Sequence, residues 1–189
     1  MTCLTTSSKR GFTLVELMAV VIITAVLATL AVFGVRKYVY SSKTTEAIHM
    51  IGSIKSAEES YRSETFRYAG TDPGNLDSGA HFFPKGEKPG QYKASWSPNG
   101  PDYATVWGPL GVISDSPVLF EYVVVAAPSG ALVAPPSDCT GVSWGTAGSA
   151  NTGPYYIVKA QSDQNGDGKM SCFTSCNLTG EIFRANEDE

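Results

Sequence analysis

The stretch KRGFTLVELMAVVIITAVLATLAVFGVRKYVY, residues 9–40, decides how the rest of the chain is read. From Phe12 to Val35 it runs for 24 residues with one charged side chain, Glu16. Such a run is long enough for a membrane-spanning helix and too long for a buried strand. A cleaved secretory signal would have a shorter apolar region, about 7 to 15 residues, closed by a small-residue exit that is missing here. Lys9 and Arg10 ahead of the run favour a cytoplasmic N-terminal side, and Arg36 and Lys37 directly behind it leave orientation by charge alone ambiguous. Glu16 is the informative residue. A carboxylate deep in hydrocarbon costs roughly 3 kcal/mol and is normally kept for a partner or a function. A shallow position near the headgroups is open to it, yet does not account for its presence.

The pattern changes character after the apolar run without losing its helical period. Ala47, Ile51, Ile54, Ala57 and Tyr61 fall near one stripe, with Glu46, Lys55, Glu58, Glu59 and Arg62 as polar neighbours. A helix continuous from Phe12 to about Thr65 would be about 81 Å long at 1.5 Å per residue. Gly52 weakens its second half and Gly34 loosens the boundary between the halves.

Residues 70–117 are punctuated by turn formers, among them Asp72-Pro73-Gly74 and Pro98-Asn99-Gly100. Phe82, Phe83, Trp96, Tyr103 and Trp107 read as apolar cover for the helix. Val118 to Ala127 is the clearest strand, followed by Tyr155 to Ala160, and then by candidates at 169–174 and 181–184. Between the first two lie Pro135-Pro136 and the Gly/Ser/Ala-rich run 142–153, which predict a long surface excursion. An antiparallel sheet packed on the distal half of the helix gives an α+β head.

The 189 residues carry 14 Lys and Arg against 18 Asp and Glu, a formal charge of -4. No basic face suggests a nucleic-acid partner, and Glu187-Asp188-Glu189 reads as a solvated acidic tail. His49 and His81 form no catalytic or zinc pattern, and no hydrolase motif is present, so no enzyme is expected. Of the four cysteines, Cys3 precedes the apolar run while Cys139, Cys172 and Cys176 lie in the last third. A disulfide among the distal three is expected if that part is exported, leaving one thiol unpaired. Cys139 with Cys172, Cys139 with Cys176, the local Cys172 to Cys176 pair and the fully reduced state are all open. Asp163, Asn165 and Asp167 alternate as the ligands opening a calcium loop do, but the twelfth position is Thr174 rather than an acid. Asn165-Gly166 and Asp167-Gly168 also suit a tight hairpin turn. The hairpin is the expected reading, with calcium on the same turn as the alternative.

The segment Lys9-Arg10-Gly11-Phe12-Thr13-Leu14-Val15-Glu16-Leu17, followed by apolar residues, resembles the class III signal sequence of type IV pilins and type II secretion pseudopilins. The resemblance covers roughly residues 9–40. It implies a leader at 1–11, cleavage by prepilin peptidase between Gly11 and Phe12, and methylation of the new Phe12 amine. Residues 12–35 would then form a transmembrane and filament-core helix, residues 36–65 an amphipathic extension and residues 66–189 the globular head. Loss of the leader would remove Cys3, Lys9 and Arg10, leaving 12 of the 14 basic side chains against 18 acidic ones. In the family Glu16 would pair with the Phe12 amine of a neighbouring subunit, and a C-terminal disulfide often closes a loop, which favours Cys139 with Cys172 or Cys176. The implied partners are other pilin subunits, prepilin peptidase and an inner-membrane assembly platform, with the free subunit in the inner membrane and the assembled one in an extracellular pilus. A pseudopilin, for which terminal-loop calcium would speak, is the related alternative, and an uncleaved membrane-anchored adhesin or binding protein is the alternative of another class. Many pilins have a proline in the apolar half; here none precedes Pro73.

Overall fold

The computed structural model describes residues 11–71, 74–77, 81–85, 89–98, 103–145, 148 and 150–187. The leader residues Cys3, Lys9 and Arg10, parts of the turns at 72–74 and 98–100, and the last two acidic residues lie outside this set. The chain forms two compact units, residues 1–39 and 40–189.

One helix, α1 (Leu14–Thr65), carries the N-terminal pattern. Thr13 caps it: its Oγ1 accepts the Glu16 N–H at 3.3 Å, and the Thr-x-x-Glu spacing is that of a capping box. Helix geometry passes through Gly34 without a break, and the hydroxyls of Thr24 and Thr29 donate back to helix carbonyls at 2.7 to 3.0 Å. Such back-bonding to the carbonyl three or four residues earlier satisfies the hydroxyl within the helix itself.

In the second unit, the expected strands at 118–127, 155–160, 169–174 and 181–184 are found at slightly different bounds. They are β1 (Glu121–Ala127), β4 (Tyr155–Ser162), β5 (Ser171–Cys176) and β6 (Ile182–Ala185), with β2 (Gly130–Ala131) and β3 (Ala150–Asn151) pairing apart. The main sheet has the order β1-β4-β5-β6, antiparallel throughout. The outer edge of β1 is covered rather than open: Thr71 exchanges hydrogen bonds with Val124, Phe83 with Tyr122, and Ala94 with Val118.

Alternation along the strands makes two cores. Tyr122, Val124, Tyr156, Val158, Ala160 and Phe173 face Ala47, Met50, Ile51 and Ile54 of α1. Val123, Val125, Tyr155, Ile157, Cys172 and Cys176 form the other face. This explains why β1 reads as an unbroken apolar run, since both faces are buried. The five loop aromatics named above are all buried, four of them against the helix face and Phe82 on the other.

The segment between β1 and β4 departs from the expected surface excursion. Leu132, Cys139, Val142 and Trp144 bury themselves against the second face and supply its covering layer. Trp144 Nε1 donates to Val133 O at 3.0 Å and the Tyr155 hydroxyl to Ala131 O at 2.9 Å, which satisfies the polar ends of both rings. Glu58 departs as well: it is buried among the stripe residues, not exposed beside them.

Candidate functional site

The N-terminal unit is a helix whose side chains have almost nothing to pack against. Phe12 is 72% exposed, and the large apolar residues from Leu14 to Val35 are exposed on every side of the helix. An 18-residue window reaches a mean hydropathy of 2.7, so α1 is long and apolar enough to cross a membrane. Gly11 is exposed, with open space where a side chain would stand. Glu16 sits in the first turn of α1, where the helix dipole favours negative charge. Its carboxylate makes no hydrogen bond or ion pair among the described residues. The arrangement is therefore an apolar cylinder bearing one unneutralised acid at its N-terminal end.

The distal part of α1 is anchored by polar as well as apolar contacts. Glu46 Oε1 accepts the Leu119 N–H at 2.6 Å, and Lys55 Nζ donates to Ser175 Oγ at 3.0 Å and to Gly180 O at 3.3 Å. Glu58 Oε2 accepts the Ala69 N–H at 2.9 Å, while its Oε1 is buried without a partner. Burial pushes the Glu58 carboxyl up to about 8; the Ala69 bond opposes this and the neighbouring Glu59 charge adds to it. Nothing in the local pattern signalled this, because the chain that covers Glu58 returns from beyond the helix end.

Of the distal cysteines, Cys139 and Cys172 are joined by a disulfide with Cα atoms 5.5 Å apart, and Cys176 is a buried free thiol. Asp138, Cys139 and Cys172 also bring a carboxylate oxygen and two sulfurs within 4.8 Å. Both sulfurs are spent in the disulfide and Asp138 is paired with Lys159 at 2.8 Å, so the group is a staple rather than a ligand set.

Asp163, Asn165 and Asp167 lie between β4 and β5, as a hairpin requires. Asp163 accepts the Gly166 N–H at 2.6 Å and the Gly168 N–H at 3.1 Å, Asn165 accepts the Asp167 N–H at 2.8 Å, and Asp167 accepts the Lys169 N–H at 2.9 Å. Gly166 and Gly168 adopt φ of 81° and 88°, left-handed values that suit glycine. The side-chain oxygens are thus engaged by the turn's own amides.

The family described as "Prokaryotic N-terminal methylation motif" matches residues 6–32. The type IV major pilin protein PilA of Myxococcus xanthus (strain DK1622) is 42% identical over 61 residues, 32% of this chain and 28% of that protein. The fimbrial protein EcpC of Eikenella corrodens is 39% identical over 56 residues, 30% of this chain and 37% of that protein. The matches thus span only 28% and 37% of the relatives' lengths. No solved structure matches the chain. The chain carries the N-terminal methylation motif at residues 6–32 and is similar over about a third of its length to a type IV major pilin and a fimbrial protein. Its layout, one long N-terminal helix with the distal part packed on an antiparallel sheet, is the α+β arrangement of a pilin-like structural subunit.

Proposed function

We propose that this chain is a structural subunit of a type IV pilus-like filament, made as a precursor and assembled through its N-terminal helix. The observation that carries the reading is Glu16: the sole charge between Phe12 and Val35, unpartnered among the described residues, on a helix exposed all round. Each large apolar side chain left in water forgoes about 1.5 to 3 kcal/mol of burial. The helix therefore belongs in a bilayer or among other apolar helices. Glu16 supplies the directional element, because an acid in hydrocarbon is relieved by a cation placed beside it. Cleavage between Gly11 and Phe12 creates such a cation, the Phe12 amine, which N-methylation leaves charged.

In this account prepilin peptidase and an inner-membrane platform act on the membrane-held subunit, and the assembled product is extracellular. The relatives are by name a major pilin and a fimbrial protein, which favours a pilus used for attachment or motility over a secretion pseudopilin. The chain's work is structural, with no catalytic step. Shearing cells and probing the sheared fraction for this chain tests the reading: recovery in filaments supports it, and recovery solely in membranes from piliated cells contradicts it.

A further inference from the structure

In the β4–β5 ladder Gln161 stands opposite Cys172, Lys159 opposite Thr174 and Ile157 opposite Cys176. Opposed residues share a face and successive residues alternate, so Cys172 and Cys176 point to the same side, each two residues from Thr174. That is about 7 Å along the strand in either direction. Cys139, Cys172 and Cys176 all belong to the same buried apolar cluster. The strand thus offers Cys139 two sulfurs that flank the position of Lys159, and the apolar surroundings favour neither.

The turn that carries Cys139 is what distinguishes them. Lys159 is 1% exposed, and its Nζ donates to Leu76 O at 3.1 Å, Asp77 Oδ1 at 3.4 Å and Asp138 Oδ1 at 2.8 Å. An ammonium has three N–H donors, and all three are used. Asp77 also accepts the Ser137 N–H at 3.2 Å, and the Cys139 N–H donates to Pro136 O at 3.2 Å. The turn 136–139 is therefore fastened at residues 137 and 138, immediately before the cysteine. Its Cα then lies 5.5 Å from that of Cys172, within the usual range for a disulfide. Cys176 is engaged elsewhere, with Sγ 3.4 Å from Thr179 Oγ1.

We propose that Lys159, acting through Asp138 and Asp77, is the positioning residue that directs oxidation of Cys139 to Cys172 instead of Cys176. The oxidant is a small or protein disulfide. The Cys139 thiolate attacks it, forming a mixed disulfide and releasing one oxidant thiol. The Cys172 thiolate then attacks the Cys139 sulfur, and the second oxidant thiol leaves. Two protein thiols lose two protons and two electrons, and the oxidant disulfide takes them up. Lys159 transfers nothing; it fixes where the Cys139 sulfur waits for the second thiolate. Without the ammonium, Asp77 and Asp138 repel each other, the turn is released and both sulfurs come within reach.

The test uses the full chain in detergent micelles, reduced and denatured, then refolded with oxidised and reduced glutathione and mapped as non-reduced peptides after alkylation. The native chain is expected to give the Cys139 to Cys172 pair. Lys159→Met is expected to move the ratio of the two isomers toward Cys139 to Cys176 by about tenfold, the worth of one charge-assisted hydrogen bond. Lys159→Arg restores the native ratio, because a guanidinium still donates to both carboxylates. Asp138→Ala leaves Lys159 two of its three bonds, to Leu76 and to the Asp77 carboxylate, so the buried cation keeps a counter-charge and this variant serves if Lys159→Met does not fold; the same shift is expected. Native pairing at the native ratio in Asp138→Ala overturns the proposal, as does a variant in which Cys139, Cys172 and Cys176 all stay reduced, since Lys159 would then govern oxidation itself and not its direction.

Discussion

The amide of Ala69 donates to the Glu58 carboxylate across 2.9 Å, and this bond ties the chain leaving α1 back to a buried acid on the helix. The Glu58 carboxyl titrates near 8 in the folded protein against 4.5 for an ordinary one. Between those values the folded state holds a proton that the unfolded state has released. The stability that Glu58 contributes is therefore fully present below about pH 4.5 and is lost as pH rises toward 8. The slope from this group approaches about 1.4 kcal/mol per pH unit. Glu58→Gln is expected to leave stability near pH 4.5 little changed and to raise it near pH 8, flattening the profile. Urea titrations across that range check this, and a variant whose profile keeps the native slope contradicts it.

Asp163 holds the β4–β5 turn through the Gly166 and Gly168 amides. Asp163→Ala leaves both amides without that acceptor and is expected to lower stability by about 1 to 2 kcal/mol. Asp163→Asn, which keeps an acceptor, loses less. Melting temperatures measured in a chelator give this order if the turn is closed by its own amides.

The long helix and the strands were legible because each burial pattern has its own period. The 24-residue apolar run and the stripe through Ala47, Ile51 and Ile54 mark α1, while β-branched and aromatic runs mark β1 and β4. What escaped local reading depends on chain that returns from far away. Glu58 looks like a solvent-facing neighbour until residues 66–71 close over it. Lys159 looks like one polar residue in a strand until Leu76, Asp77 and Asp138 converge on it from two separate loops. The partner of Cys139 was open for the same reason: Cys172 and Cys176 lie on one strand face, and only the tethered turn separates them.

Glu16→Ala is expected to leave expression and membrane insertion intact, since it makes the helix more apolar. It removes the charge that attracts the processed Phe12 amine, and filament yield should fall by about tenfold or more, the scale of a lost low-dielectric ion pair. Electron microscopy of sheared material at matched expression reads the outcome. Native filament number and length would remove Glu16 from the assembly role.

A chain beginning at Arg36 lacks the apolar run but keeps every residue of the two buried cores. It is expected to be soluble, folded and monomeric by sedimentation, and absent from filaments when expressed beside the full chain. Aggregation through the head, or incorporation into filaments, would contradict the division between an assembling helix and an α+β head.

The central claim is that the chain enters filaments only after losing residues 1–11, when the Phe12 amine becomes available to Glu16. Mass spectrometry of the N-terminal peptide from sheared filaments tests it most directly. The account predicts a peptide that begins at Phe12 and carries one added methyl group on its amine; a filament-derived peptide that still contains Gly11 and the residues before it would contradict the account.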